Sequence, residues 1–146
     1  AYDGLKEFRK KIELGKAEWI YREGQIALIA IGSMVRMAES VREKLKEKGY
    51  QVSILNARFV KPLDEESILS ACMDHEILVS MEENVRSGGF GEKILDCLND
   101  NGVTIHFLNI SLPDAYVEHG NVELLKQEVG IDADSIVKKI YSALHG

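Results

Sequence analysis

The stretch NARFVKPLD, residues 56–64, marks a place where a strand ends and a helix begins. The largely apolar run at 52–55 before it is typical of a buried strand. Pro62 restricts the residue before it to extended conformations, and Asp64 is a residue type that often begins a helix. The stretch therefore predicts a buried strand, a stiff loop and a helix, and the loop carries three long side chains outward: Arg58, Phe59 and Lys61.

Strand-like and helix-like runs alternate on both sides of this stretch. Apolar runs predict five strands, at residues 17–21, 26–31, 52–57, 76–81 and 103–110. Apolar residues three and four positions apart predict helices after Ser33, after Asp64, over 91–99 and after Asp132. A helix thus follows every strand except the first.

The first two strands are separated only by residues 22–25. A connection of this length is too short for a parallel crossover, so we expect these strands to form an antiparallel hairpin. The runs at 26–31 and 77–79 have no polar face, as expected for strands that helices cover on both sides. The sequence predicts an α/β fold, a three-layer sandwich whose five-stranded, mostly parallel sheet has one antiparallel edge strand.

Length and composition predict a single folded domain. The chain has 146 residues, of which 45% are apolar, which is enough for one core and short for two. Residues 1–16 are charged and poorly periodic, so we interpret them as a linker or strap and residues 17–146 as the domain.

Charge and cysteine usage exclude several classes of partner. The net charge is -6, and the basic residues alternate with acids, so no basic face is expected to bind nucleic acid. Cys72 and Cys97 lack the spacing of a metal site, and no run resembles a signal peptide or a membrane span. We therefore expect a cytoplasmic domain with no nucleic-acid and no membrane partner.

Two glycine-containing turns are candidate anion sites. Gly32 and Ser33 lie between a strand and a helix, where free backbone N–H groups can hold an anion, but Ser33 is explained more simply as a helix cap. Residues 89–91 offer half of a dinucleotide fingerprint, although Ile94 occupies the place of the third glycine. We reject NAD or FAD binding at this turn.

The loop at residues 88–91 admits two interpretations. Its glycines let the backbone pass close to another surface while Phe90 inserts into that surface, which predicts an exposed Phe90 at a domain or subunit contact. A tight internal turn is the alternative. Sequence reasoning leaves the two open.

Acidic and histidine side chains provide weak candidates for chemistry. Glu82 and Glu83 end a strand, but adjacent strand residues point to opposite faces, so at most one faces a site, and a solvated or arginine-paired carboxylate is the favoured interpretation. His75 and His145 occupy expected surface positions, and His106 lies within a strand. His119 follows a long loop that contains Tyr116, and we favour a loop-stabilising role for it over a contact with a partner.

Three blocks in this order carry a resemblance to a known family. They are residues 56–64, Glu82-Glu83-Asn84 followed by residues 88–91, and Leu112-Pro113-Asp114 followed by residues 118–120. Together they resemble the C-terminal domain of 1-deoxy-D-xylulose-5-phosphate synthase, a thiamine-diphosphate enzyme of the transketolase superfamily. The similarity runs from about residue 12 to residue 144.

The resemblance implies a protein larger than this chain. It implies that the chain begins just past a domain boundary, that the full-length enzyme is a homodimer, and that it condenses pyruvate with glyceraldehyde 3-phosphate and releases CO₂. Transketolase and the β subunit of a 2-oxo-acid dehydrogenase are the alternatives within the superfamily, and a free-standing α/β binding module is the alternative of another class.

The resemblance also implies where the cofactor belongs. The family holds thiamine diphosphate and Mg²⁺ with a Gly-Asp-Gly motif, and this chain contains none. We therefore expect no cofactor, metal or catalytic residue in the chain itself, with the preceding catalytic domains as its partners. Arg58, Lys61 and His119 are expected to gather at the carboxyl edge of the sheet. The expected contact residues are Arg58, Phe59, Lys61, Glu82, Gly88, Gly89, Phe90, Gly91, Tyr116 and His119.

Overall fold

A computed structural model of the chain describes residues 15–83, 89–112 and 132–145. The strands are β1 (Glu18–Tyr21), β2 (Ile26–Ala30), β3 (Val52–Asn56), β4 (Ile77–Glu83) and β5 (His106–Leu112). The helices in this part of the chain are α1 (Met34–Glu47), α2 (Glu65–Asp74), α3 (Phe90–Asp100) and α4 (Ala133–His145). All predicted elements are present, with ends that differ by at most three residues.

The five strands form one sheet in the order β1-β3-β2-β4-β5. The three pairs β3-β2, β2-β4 and β4-β5 are parallel, whereas β1 pairs with β3 in antiparallel orientation. The predicted mostly parallel sheet with one antiparallel edge strand is confirmed.

The predicted hairpin between the first two strands is wrong. β1 does run opposite to β2, as its short connection suggests, but β3 lies between them and takes both as neighbours. Four residues in extended conformation reach about 13 Å, whereas strands two positions apart are separated by about 10 Å. Residues 22–25 can therefore pass over the end of β3, so a short connection does not require adjacent strands.

Helices cover both faces of the sheet. On one face, α1 and α4 pack on Leu28, Val79 and their neighbours. On the other face, α2 and α3 pack on Ile29, Leu78 and their neighbours. The two separate buried clusters confirm the three-layer sandwich, and they explain why the strands between them have no polar face.

Of the three predicted cap residues Ser33, Asp64 and Asp132, two bond the start of their helix through the side chain. Asp64 accepts a hydrogen bond from the Ser67 N–H at 3.1 Å, and Asp132 accepts one from the Ser135 N–H at 2.9 Å. Ser33 occupies the position before α1, but its side chain makes no capping hydrogen bond. Ser33 is thus the N-cap residue of α1, as interpreted, but without a side-chain hydrogen bond, and α1 is held chiefly by its buried apolar stripe: Met34, Met37, Ala38, Val41 and Leu45.

Phe90 is buried, which contradicts its expected exposure. It begins α3, none of its surface is exposed, and it packs in the same cluster as Ile94, one turn further along the helix. The glycines around it allow a tight turn into the helix, so the internal-turn interpretation is the one that the structure supports.

Replacement of Phe90 by Ala is expected to destabilise this chain strongly. Removal of a fully buried Phe side chain costs about 3–5 kcal/mol of unfolding free energy. The matched control is Leu95→Ala in the same helix, because Leu95 is 44% exposed and surface changes usually stay within about 0.5 kcal/mol. Equal shifts of the denaturation midpoint for the two variants would contradict the burial of Phe90.

Candidate functional site at the carboxyl edge of the sheet

The order of connections places a crevice at one edge of the sheet. α1 follows β2 on one face, whereas α3 follows β4 on the other face, and these two strands are neighbours. Ligand sites in open α/β sheets collect at the carboxyl ends of such a strand pair. Residues 31–33 and the end of β4 therefore border the candidate site, joined by a hydrogen bond of 3.3 Å from the Ile31 N–H to the Met81 carbonyl.

Both glutamates at this edge are buried. Glu82 is 3% exposed and Glu83 is 4% exposed. The Glu82 Oε2 atom accepts a hydrogen bond of 2.6 Å from the Gly91 N–H in the first turn of α3. A carboxylate at this position satisfies a backbone donor and complements the positive end of the helix dipole. The interpretation of Glu82 as a solvated or arginine-paired carboxylate is therefore wrong.

The turn into α3 depends on two glycines. Gly89 has φ 80°, a left-handed conformation that favours glycine. Gly91 lies so close to the Asn109 side chain of β5 that any added Cβ would overlap it. The Asn109 Oδ1 atom in turn accepts a hydrogen bond of 2.6 Å from Ser80, its register partner on β4.

Ser80 and Asn109 are functional candidates that sequence reasoning missed. Each is a polar residue between two apolar residues of its strand, and this pattern is a signal from which they could have been predicted. With Glu82 and Gly91 they form a polar junction that joins β4, β5 and the start of α3. This junction positions backbone and contains no exposed nucleophile.

The loop after β3 presents a second group of predicted residues. Arg58 has φ 63°, an uncommon value for a residue with a side chain, and its guanidinium lies 2.8 Å from the Glu18 carboxylate of β1. Phe59 is half-buried and Lys61 is exposed. Arg58 and Lys61 do leave the same strand at the carboxyl edge, whereas Gly88, Tyr116 and His119 lie outside the described residues.

A groove of about 370 Å³ separates this loop from α3. Lys61 and Lys93 line it together with three acidic residues and Cys97. Burial and a hydrogen bond with Glu65 raise the pKa of the Cys97 thiol to about 12. The thiol is therefore protonated at neutral pH, which makes it a poor nucleophile and a poor metal ligand.

A Ser–His contact lies at the opposite edge of the sheet. The His75 Nε2 atom is 2.7 Å from the Ser53 Oγ atom, and the Nδ1 atom is 2.8 Å from the Ala71 carbonyl oxygen. Both side chains are buried, and the His75 ring stacks on Trp19. The expected surface position of His75 is wrong, and a substrate has no access to this pair, so the contact is structural.

The described residues contain neither a cluster of metal ligands nor a membrane-spanning helix. Within residues 15–83, 89–112 and 132–145, no group of three or more His, Cys, Asp or Glu side chains could hold a metal ion. No helix in the described part of the chain is both long enough and apolar enough to cross a membrane.

The fold and the residue pattern define the class of this chain. A family profile described as "Transketolase, C-terminal domain" matches residues 15–136. The chain belongs to this family of α/β domains, as the resemblance predicted.

Curated relatives narrow the comparison to one type of enzyme. The chain is 50% identical over 141 residues to a 1-deoxy-D-xylulose-5-phosphate synthase of Lachnoclostridium phytofermentans, covering 96% of the chain and 23% of the relative. It is 36% identical over 146 residues to the same enzyme of Aquifex aeolicus, covering 100% of the chain and 23% of the relative. The chain thus spans about a quarter of the length of the curated relatives it matches.

Solved structures support the fold independently. A split-gene transketolase, described as an inactive β4 tetramer, matches with a TM-score of 0.76 at 19% identity, covering 92% of this chain and 42% of that chain. A transketolase mutant from Pichia stipitis matches with a TM-score of 0.58 at 14% identity, covering 90% of this chain and 18% of that chain. At these identities the likeness shows the fold alone.

Replacement of Gly91 by Ala is expected to destabilise the chain through Asn109. The new Cβ would overlap the Asn109 side chain, and overpacking of this kind costs about 1–3 kcal/mol, partly offset by the helix propensity of Ala. In an Asn109→Ala background the cost of the same change should fall clearly. Denaturant unfolding of the four chains measures this coupling, and an equal cost in both backgrounds would disprove the close contact.

Proposed function

We propose that this chain is the C-terminal domain of a 1-deoxy-D-xylulose-5-phosphate synthase. The whole enzyme would condense pyruvate with glyceraldehyde 3-phosphate, release CO₂, and serve isoprenoid-precursor, thiamine and pyridoxal biosynthesis in the cytoplasm. The observation that carries the proposal is the 50% identity to such a synthase over 96% of the chain. The preceding catalytic domains, and a second copy of the whole enzyme in a homodimer, are the proposed partners.

The cofactor is proposed to belong to those preceding domains. Thiamine diphosphate with Mg²⁺ needs oxygen ligands for the metal and donors for the diphosphate. The described residues do not fit this group, because they contain no cluster of metal ligands and because the Glu82 carboxylate already binds the Gly91 N–H. A further buried carboxylate, Glu83, would repel a diphosphate at this edge.

The role proposed for the domain is to support subunit assembly and shape the surroundings of the active site. Its polar groups at the carboxyl edge act on its own backbone: Glu82 holds α3, and Asp64 holds α2. Rigid edges of this kind can present loops to a neighbouring domain in a fixed orientation. We assign no catalytic residue to the chain.

The proposed contact surface is smaller than the sequence alone suggests. Phe90 is buried, so it is not a contact residue in this structure. Phe59 and Lys61 remain contact candidates on the loop after β3, and Lys93 joins them across the groove. Gly88, Tyr116 and His119 remain proposed contacts outside the described residues.

A transketolase domain is the second candidate function. The observation that favours it is the TM-score of 0.76 to the split-gene transketolase. The curated relatives favour the synthase, since their identities of 36–50% over nearly the whole chain exceed the 19% identity to the split-gene transketolase. The two enzymes differ in the group that they transfer, so the recipient enzyme whose activity this chain restores separates them.

A chimeric enzyme tests the proposal. This chain replaces the matching region of the Lachnoclostridium phytofermentans synthase, and product formation from pyruvate and glyceraldehyde 3-phosphate is measured. We expect turnover of the same order as in the parent, because a domain of the same family should restore the same contacts. The control is the parent enzyme without this region, which we expect to be inactive. A folded chimera that makes no deoxyxylulose phosphate would contradict the proposal, and restoration of ketol transfer by this chain in a transketolase that lacks its own C-terminal domain would favour the transketolase alternative.

A charge reversal in the same chimera tests the contact surface. Lys61→Glu places a negative charge on the exposed loop after β3 and should weaken domain packing, which lowers the activity of the chimera several-fold. Lys48→Glu is the matched control, because Lys48 is an exposed lysine at the end of α1, on the opposite edge of the sheet. Equal activities of the two variants would remove Lys61 from the proposed surface.

A further inference from the structure

Four consecutive residues at the start of the described chain lie against one loop. We call residues 15–18 the anchor segment; they lie against residues 57–66, which comprise the loop after β3 and the first two residues of α2. Gly15 lies so close to Pro62 that an added Cβ would meet the proline Cγ at 2.8 Å. The contacts of the other three residues are Lys16 Nζ to Glu66 at 3.8 Å, Ala17 N–H to Asp64 at 2.8 Å, and Glu18 to Arg58 at 2.8 Å.

Asp64 is the central residue of these contacts. Its Oδ1 atom accepts the Ser67 N–H, which begins α2, while its Oδ2 atom accepts the Ala17 N–H at 2.8 Å and the Ser67 hydroxyl at 2.7 Å. Burial alone would raise the pKa of Asp64. The hydrogen bonds from Ala17 and Ser67 and the charge of Lys16 together outweigh burial, so the pKa lies below its ordinary value. Asp64 is therefore an ionised carboxylate that joins two distant parts of the chain.

Arg58 provides a second attachment. Its backbone has φ 63°, and its N–H donates to the Asn56 Oδ1 atom at 3.2 Å, which stabilises the turn out of β3. This turn directs the guanidinium to Glu18, the first residue of β1. A left-handed residue with a side chain persists where surrounding contacts hold it, and the ion pair with the anchor segment is one such contact.

We propose that the anchor segment is a latch closed by Asp64 and Arg58, which fixes the point where the preceding polypeptide joins the domain. Asp64 is a positioning residue in this proposal. The latch holds residue 15 beside the carboxyl edge, the edge that carries the proposed contact loops. The latch itself is a property of this chain and stands independently of the proposed function. Only its consequence for domain orientation rests on that function.

The test separates the latch from the helix cap. Asp64→Ser keeps a residue that caps helices well but removes the second carboxylate oxygen, which the Ala17 N–H requires. Amide hydrogen exchange is measured by NMR in the 146-residue chain at three positions: Ala17 in the latch, Ser67 in the cap and Ile29 in the core. We expect protection at Ala17 to fall about tenfold or more, as for loss of a hydrogen bond to a charged group, while Ser67 and Ile29 stay protected.

One control variant and a second test variant complete the experiment. Ser67→Ala removes the hydroxyl bond to Asp64 and leaves the Ala17 bond, so Ala17 should stay protected. Arg58→Gly keeps the left-handed backbone but removes the guanidinium, so trypsin should cleave after Lys16 several-fold faster than in the parent chain. Cleavage after Lys48, an exposed site outside the latch, serves as the internal reference.

Several outcomes would overturn the proposal. Unchanged protection at Ala17 in Asp64→Ser would show that the carboxylate only caps α2. A parallel loss at Ala17, Ser67 and Ile29 would show that Asp64 acts on the stability of the whole domain and not on the latch. Unchanged cleavage after Lys16 in Arg58→Gly would remove the second attachment.

Discussion

Burial of β2 on both faces is the constraint on which the rest of the structure depends. All five of its residues are fully inaccessible, so apolar layers must cover both of its sides. A strand of this kind requires neighbours at both edges as well, because its backbone groups have no water to bind. β3 and β4 meet that need, and the helices that follow β2 and β4, α1 and α3, pack on opposite faces. The crevice at the carboxyl edge follows from this arrangement, since the connections after β2 and β4 diverge there.

Hydrophobic patterning predicts the layers well because buried positions require apolar residue types. The unbroken apolar run at 26–31 predicts a central strand, and the structure confirms it. Strand pairing is different, since it depends on which partner satisfies the backbone and not on the pattern of one strand. Residues 22–25 are compatible both with a hairpin and with a passage over β3, so their length could not decide between the two. The polar contacts of Arg42 with the Val52 carbonyl and the Glu23 carboxylate join α1 to the start of β3 and to the connection after β1, and a local pattern cannot predict them.

The candidate site was predictable in position but not in its contacts. Sequence reasoning places Glu82 and Glu83 at the carboxyl edge on opposite faces, and the structure confirms that place and shows Glu82 directed to α3. The sequence does not identify the hydrogen-bond partner of Glu82, because the Gly91 N–H becomes its neighbour only when α3 folds back on β4. The burial of Phe90 could have been recognised from the spacing of Phe90, Ile94 and Cys97, which places them on one helical face. The glycines on either side, by contrast, are typical of a backbone that passes close to another surface.

Asp64 and Glu82 have the same structural role at two places along the carboxyl edge of the sheet: each accepts a backbone N–H near the start of a helix. Each is a buried carboxylate near the start of a helix, where the dipole and the free N–H groups favour a negative charge. Each binds backbone that its own element does not contain: Asp64 binds the anchor segment before β1, and Glu82 joins β4 to α3. Because removal of a partner from a buried charge costs more than the bond itself contributes, such carboxylates make their loops hard to displace. A domain built this way can act on a neighbour through fixed loop positions, without contributing a reacting group.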